Sequence, residues 1–210
     1  MDKNKKVIDV YNKISKKYFK TFDSGAFSDK KFLDKFLAYL KKGSGVLDLG
    51  CGTGRHCEYM AKKAMLPEGV DLAREMLKIA KRSHPEIKFR LMDMRKLSYP
   101  RNSFDAVWAG YSLFHINRRD FAKTISLVKK IIKPGGYFGL VMQEGEGDLE
   151  IAEPLLPKEK IYLWLYSAKD LKDILNRYGF TVISQMRKKP KSEKEFSFNK
   201  LLIIARKKVK

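Results

Sequence analysis

The 210-residue chain is poor in cysteine, in acid and in long apolar runs. Cys51 and Cys57 are its only cysteines, too few and too widely spaced for a zinc site or a disulfide framework. No stretch approaches the apolar length of a membrane span, so none is expected. The start, Met1-Asp-Lys-Asn-Lys-Lys6, is charged and leads into no apolar run, so a signal peptide is not expected and the expected location is cytoplasmic. Asp and Glu total 24 against 45 Lys and Arg, a formal net charge of +21. Such a balance first suggests nucleic acid or an anionic membrane surface. Only eleven of the 45 cations are arginine, however, and bidentate base or phosphate readout favours arginine. A solvated lysine surface is the plainer reading. At 44% hydrophobic and 12% aromatic the chain has the material for a packed globule. Its length suits one domain with a sizeable core.

Periodicity divides the chain. Val7, Tyr11, Ile14 and Tyr18 share one helical face, and after a loop at Ser24-Gly25 the residues Phe32, Leu33, Phe36, Leu37 and Leu40 repeat the pattern. From Gly45 short apolar strands alternate with helices. Val46–Leu49, a stretch ending at Asp71, Ile87–Leu91, Phe104–Ala109 and Tyr137–Met142 read as strands. The intervening helices carry Tyr59, Met60 and Ala64, then Ala73, Met76, Leu77 and Ala80, then Phe121, Ile125, Val128 and Ile132 before a stop at Pro134-Gly-Gly136. Residues 143–166 read as irregular, ending in the aromatic run Ile161–Tyr166. Ser167 and Asp170 form a helix-start signature, Gly179 its stop, and two strands joined by a Lys-rich hairpin follow. Strand-helix alternation of this kind argues an α/β fold of three layers with a mostly parallel sheet.

The sharpest local signal is Asp48-Leu-Gly50-Cys-Gly52-Thr-Gly54, which follows a strand and opens a helix. A dinucleotide fold expects Gly-x-Gly-x-x-Gly, and Arg55 stands at the third position from Gly50. Asp48, at the strand's end, would repel a pyrophosphate and favour a cationic ligand. S-adenosylmethionine carries an ammonium, a sulfonium and a carboxylate, and suits carboxylates beside loop amides. Asp71, at the end of the second strand, fits a ribose diol acceptor. Asp93 follows the third strand and fits the adenine amino group, with Leu72 and Met94 on either side of the ring. Three acids thus fall at the carboxyl ends of three consecutive strands, where open α/β sheets bind ligands.

With these residues the chain resembles a class I S-adenosylmethionine-dependent methyltransferase of the small single-domain type. Val46–Gly54 is similar to the family's first motif, Gly69–Leu77 to its second, Phe104–Trp108 to the fourth-strand motif and Lys133–Gly136 to the turn before strand five. The resemblance implies a Rossmann-like three-layer sandwich, with a mostly parallel seven-stranded sheet, an antiparallel last strand and an N-terminal helical cover. It implies one methyltransferase domain over 1–210: cover 1–42, cofactor-binding core 43–142, substrate-side insertion 143–166, and C-terminal helix and hairpin 167–210. S-adenosylmethionine is the implied cofactor, with Tyr11, Tyr18, Asp48, Gly50, Gly52, Asp71, Leu72, Met76, Asp93, Met94 and Ala109 on its side of the site and no metal. Tyr11 and Tyr18 resemble the family's lid helix, with Asn12 in place of its usual Asp. Pro67-Glu68 departs from the apolar second strand of the family, so that strand is expected to be short.

Methyl transfer is an in-line displacement by an already activated donor, so the protein mainly aligns the acceptor and excludes water. If a base is used, His115, after the fourth strand, is the candidate. The chain lacks the Asn/Asp-Pro-Pro-aromatic stretch of nucleic-acid N-methylating enzymes and any appended RNA-binding module. Residues 143–153 hold five acids and no Lys or Arg, and would repel a phosphate backbone. That stretch and the aromatics Tyr162–Tyr166 are expected to shape a pocket for a small-molecule acceptor. The alternatives are a tRNA or rRNA methyltransferase and a non-catalytic S-adenosylmethionine-binding module.

Overall fold

The computed structural model describes residues 3–23 and 29–209; the expected Ser24-Gly25 loop lies outside them. Six α-helices appear among the described residues: α1 (Lys3–Tyr18), α2 (Lys30–Leu37), α3 (Arg55–Lys62), α4 (Arg74–Ser83), α5 (Arg118–Ile131) and α6 (Ala168–Arg177). The strands are β1 (Gly45–Leu49), β2 (Leu66–Asp71), β3 (Lys88–Leu91), β4 (Phe104–Gly110), β5 (Ile132–Gln143), β6 (Asp148–Glu153), β7 (Leu156–Trp164), β8 (Phe180–Lys188) and β9 (Lys200–Lys207).

Seven strands form the main sheet in the order β3-β2-β1-β4-β5-β9-β8, parallel except for β9, which runs antiparallel to both neighbours. Period-two alternation sends successive residues of a strand to opposite faces. Leu47 and Leu49 accordingly join the core under α1, α5 and α6, while Val46 joins the core under α2, α3 and α4. The three-layer α/β expectation holds. Strand order reverses between β1 and β4, which opens a crevice beyond the carboxyl ends of the strands.

Several boundaries moved for identifiable reasons. β2 has six residues despite Pro67, so the expectation of a short strand is corrected. Leu66 N–H donates to Ser44 on the β1 side, so Pro67 faces the β3 side, where pairing begins only at Glu68 opposite Lys88. Its missing donor therefore costs no ladder bond. The third helix ends before Ala64, which is exposed at φ 59° in a turn rather than on the apolar face. Ile132 opens β5 instead of closing α5, and Pro134-Gly-Gly136 loops out within a bulge between the Phe104–Ile132 and Ala106–Tyr137 pairs. Residues 143–166 are not irregular. They build a β6–β7 hairpin whose turn is Pro154-Leu155, with alternating Leu149, Ile151, Ile161 and Leu163 as the overlooked signal. The Ser167–Asp170 capping box forms as expected.

Candidate functional site

After β1 the chain turns through Gly50 and Gly52 at φ 77° and 54°, a region that strongly favours glycine. A Cβ on Gly50 would collide with Ser112, whereas one on Gly52 would meet nothing within 4 Å. The loop is therefore packed from behind and open in front. Asp71 holds it in shape: Gly52 N–H donates to Oδ2 at 2.8 Å, and Ala73 N–H, at the start of α4, donates to Oδ1 at 2.8 Å. Burial pushes the Asp71 carboxyl above its ordinary range, and these two donors oppose the push.

A cavity of about 560 Å³ lies in front of the loop, inside the roughly 300–1,000 Å³ typical of small-molecule sites. Tyr11, Tyr18, Gly50, Gly52, Asp71, Leu72, Met76, Asp93, Met94 and His115 all border it. Asp48 and Ala109 do not; both are fully buried beneath it. Asp48 lies on the same side of β1 as Val46, under the loop, where the Cys57 thiol donates to Oδ2 at 3.5 Å and Oδ1 has no hydrogen bond. Burial pushes its carboxyl up to about 6, opposed by nearby His56. Ala109 stops one residue short: Gly110 is the residue of β4 that reaches the cavity. Asp93 borders the cavity with its carboxylate already engaged by Arg95, whose backbone N–H and guanidinium donate to it at 2.7–3.0 Å. His56 also borders the cavity, and its Nε2 lies 3.3 Å from Asp29.

Tyr11 and His115 stand 104 residues apart in sequence and meet at the wall. His115 Nδ1 lies 3.2 Å from the Tyr162 carbonyl, which can only accept, so the ring proton sits on Nδ1. Nε2 is then the acceptor, and Tyr11 O–H donates to it across 3.0 Å. Burial lowers His115 to about 4 and pushes the Tyr11 phenol well above its ordinary value, so both groups are neutral at physiological pH.

Over β4, β5 and β9 the cavity has a different character. Tyr111, directly after β4, adopts φ 63°, an outlier for a bulky residue. Gln143 closes β5 with its Oε1 buried and unbonded. Lys200, buried at the start of β9, pairs with Glu195 of the β8–β9 loop. That loop brings Lys191 and Lys194 to the cavity rim, so the Lys-rich hairpin is not merely an outer surface. Contrary to the expectation for the aromatic run, none of residues 161–166 borders the cavity, and Trp164 and Tyr166 are core residues. The acidic stretch is largely neutralised. Glu144 accepts from Arg187 at 2.6–2.8 Å, Glu150 pairs with Lys6 at 2.7 Å, and Glu153 is buried at the cavity wall, so the stretch repels phosphate less than its composition suggested.

The side of the cavity at the glycine loop, its donor half, has a lining that could hold S-adenosylmethionine. The open face at Gly52 leaves backbone amides accessible, Asp71 stands between loop and helix as an acceptor for a diol, and Leu72, Met92 and Met94 give apolar walls for a ring. Residues 46–136 match the family model of a methyltransferase domain. The chain is 28% identical over 174 residues to phosphoethanolamine N-methyltransferase 2 of Caenorhabditis elegans, across 80% of this chain and 39% of that protein. It thus spans about two-fifths of that relative's length. Among solved structures it is similar to a S-adenosylmethionine-dependent methyltransferase of Methanosarcina mazei, with TM-score 0.76, 20% identity, and 82% and 96% of the two chains covered. It is also similar to 1,6-didemethyltoxoflavin-N1-methyltransferase of Burkholderia thailandensis, solved with 1,6-didemethyltoxoflavin and S-adenosylhomocysteine, at TM-score 0.74 and 18% identity over 97% and 88% of the chains. Residues 46–136 thus carry a methyltransferase domain, and the fold and the curated relatives support a class I S-adenosylmethionine-dependent methyltransferase.

Proposed function

We propose that the protein transfers a methyl group from S-adenosylmethionine to a nucleophilic O, N or S of a small-molecule acceptor in the cytoplasm, acting as one domain. The observation that carries this reading is the Tyr11–His115 pair, set in the wall of the cavity beside the glycine loop. When bound, S-adenosylmethionine supplies an electrophilic methyl group on a sulfonium. The protein's part is to hold the acceptor in line, exclude water and receive its proton. Tyr11 Oη can accept the acceptor's proton as its own passes to His115 Nε2, while the Tyr162 carbonyl steadies the imidazolium through Nδ1–H. Burial holds His115 neutral across physiological pH, which leaves its lone pair free but also opposes the imidazolium, so the proton rests on Nε2 only in passing. Tyr111, Phe114 and Gln143, over the ends of β4 and β5, would seat the acceptor. Relatives named for phosphoethanolamine and 1,6-didemethyltoxoflavin support an acceptor of this size.

A labelled-donor assay of cell-extract metabolites against bulk RNA tests the proposal. Label in a small product supports it, and label in RNA alone overturns it. RNA methylation is the second reading, favoured by Lys191 and Lys194 at the rim.

A further inference from the structure

Glu153 stands outside every motif of the resemblance, as the last residue of β6 before the hairpin turn and beyond the matched segment 46–136. Its side chain is 4% exposed, yet only one carboxylate oxygen is bonded: Oε1 accepts Leu155 N–H at 3.2 Å, and Oε2 is buried without a partner. A buried half-satisfied carboxylate costs stability unless a ligand completes it. Glu153 borders the cavity, so a ligand can.

Packing says which half of the cavity it serves. Leu155, two residues on, is buried in one cluster with Ala73 and Met76, at the start of α4, where Ala73 N–H donates to Asp71. Lys17 of α1 donates to the Leu155 carbonyl at 2.6 Å and pins the turn there. Tyr11, Tyr18 and Phe22 pack on the same cluster, with Tyr11 and Tyr18 edge-on at 6.2 Å and Tyr18 and Phe22 at 4.8 Å. Aromatic faces beside a carboxylate are a setting for a cation. Tyr11 and Tyr18 from α1 are the titratable groups that feel the Glu153 charge, and Tyr11 also feels Asp71.

We propose that Glu153, with the rings of Tyr11 and Tyr18, forms a cation-reading subsite on the donor side. It holds the positively charged S-adenosylmethionine in preference to the neutral thioether S-adenosylhomocysteine. Both molecules carry the same ammonium and carboxylate and differ at sulfur by one methyl and one charge. A carboxylate near the sulfur therefore favours the donor electrostatically and lets the product leave once that charge is gone. The inference rests on the donor reading of the cavity and extends it to product release.

The test is calorimetric binding of S-adenosylmethionine and S-adenosylhomocysteine to the full chain at pH 8. It compares wild type, Glu153→Gln and Glu146→Gln, the last being an exposed charge control in the same segment. Glu153→Gln keeps the shape of the side chain and an acceptor for Leu155 N–H, and a thermal melt checks that it folds. The expected result is a roughly tenfold loss of S-adenosylmethionine affinity in Glu153→Gln. S-adenosylhomocysteine affinity stays within twofold and Glu146→Gln is unchanged. Equal losses for both ligands, or no loss, overturn the subsite. So does a rise in acceptor KM with donor affinity intact, because it moves the carboxylate to the acceptor. Failure of wild type to bind either ligand overturns the donor reading itself. If Glu153→Gln does not fold, Tyr18→Leu is measured instead and must narrow the same preference.

Discussion

The two halves of the cavity are built on opposite plans. The donor half is made where three adjacent parallel strands end, from short runs of consecutive residues: Gly50–Thr53, Asp71–Ala73 and Met92–Arg95. Its key contacts are local or lie between neighbouring strands, as between Gly52 and Asp71. The half proposed for the acceptor is collected from the end of β4, the end of β5 and the β8–β9 loop, with α1 lying across both halves. Its contacts bridge long sequence distances, as between Tyr11 and His115. Backbone-defined sites write themselves into glycines and strand-end acids, whereas side-chain sites assembled across the fold leave no spacing to recognise.

The largest expected effect lies in the donor half. Gly50→Ala combines a positive φ with a collision against Ser112 and is expected to destabilise by about 3 kcal/mol or more and to abolish donor binding. Urea unfolding and calorimetry read both, and near-wild-type values would remove the backbone-defined character of this half. In the acceptor half the corresponding break is chemical. Tyr11→Phe removes only the bond to Nε2, so kcat is expected to fall about 100-fold while S-adenosylhomocysteine affinity changes little. An unaltered kcat would reduce the pair to packing.

Asp48 sharpens the donor side. Its native carboxyl holds a proton up to about 6, against an ordinary value of 3.8, so the native state binds more protons across that window and loses stability as pH rises through it. Asp48→Asn is expected to stabilise by about 2 kcal/mol at pH 8 and to bring no gain at pH 4. Melting curves at the two pH values decide this, and an equal gain at both would deny the buried charge. Glu153, on the donor side in the subsite proposed above, carries a similar signature, with burial raising it to about 7. It is protonated below that value, so the preference for S-adenosylmethionine over S-adenosylhomocysteine should shrink several-fold between pH 8 and pH 6. A preference that ignored pH over this range would disconnect the carboxyl from the donor.

The smallest effect is a control outside the cavity. Ala64, exposed at φ 59°, sits where glycine is favoured. Ala64→Gly should raise stability by up to about 1 kcal/mol and leave both ligand affinities alone. A change in affinity would mean that the turn into β2 is coupled to the donor loop.

The strand-helix rhythm, the glycine loop and the acids at the ends of β2 and β3 were legible because they depend on residues near one another in sequence. The errors had a common origin. The sequence placed Asp48 at a strand's end and so in the crevice, but the pleat turns its side chain under the loop. The aromatic run is not pocket lining, because residues 163–166 pack on the core as an unbroken buried run that takes in Trp164 and Tyr166. Glu153 was counted as one of five like charges until the hairpin buried it.

The +21 charge belongs in the same account. The sequence by itself determined that a basic, cysteine-poor α/β chain would cradle a ligand at the ends of its first three strands, because 3.6- and 2-residue periods and glycine-rich turns are local properties. Only the tertiary structure decided that Tyr11 meets His115, that lysines of the last hairpin reach the cavity rim, and that Glu153 stands buried at the cavity wall with one oxygen unpaired. Those facts depend on which distant segments share a wall, and burial, more than residue type, sets what a charge there can do.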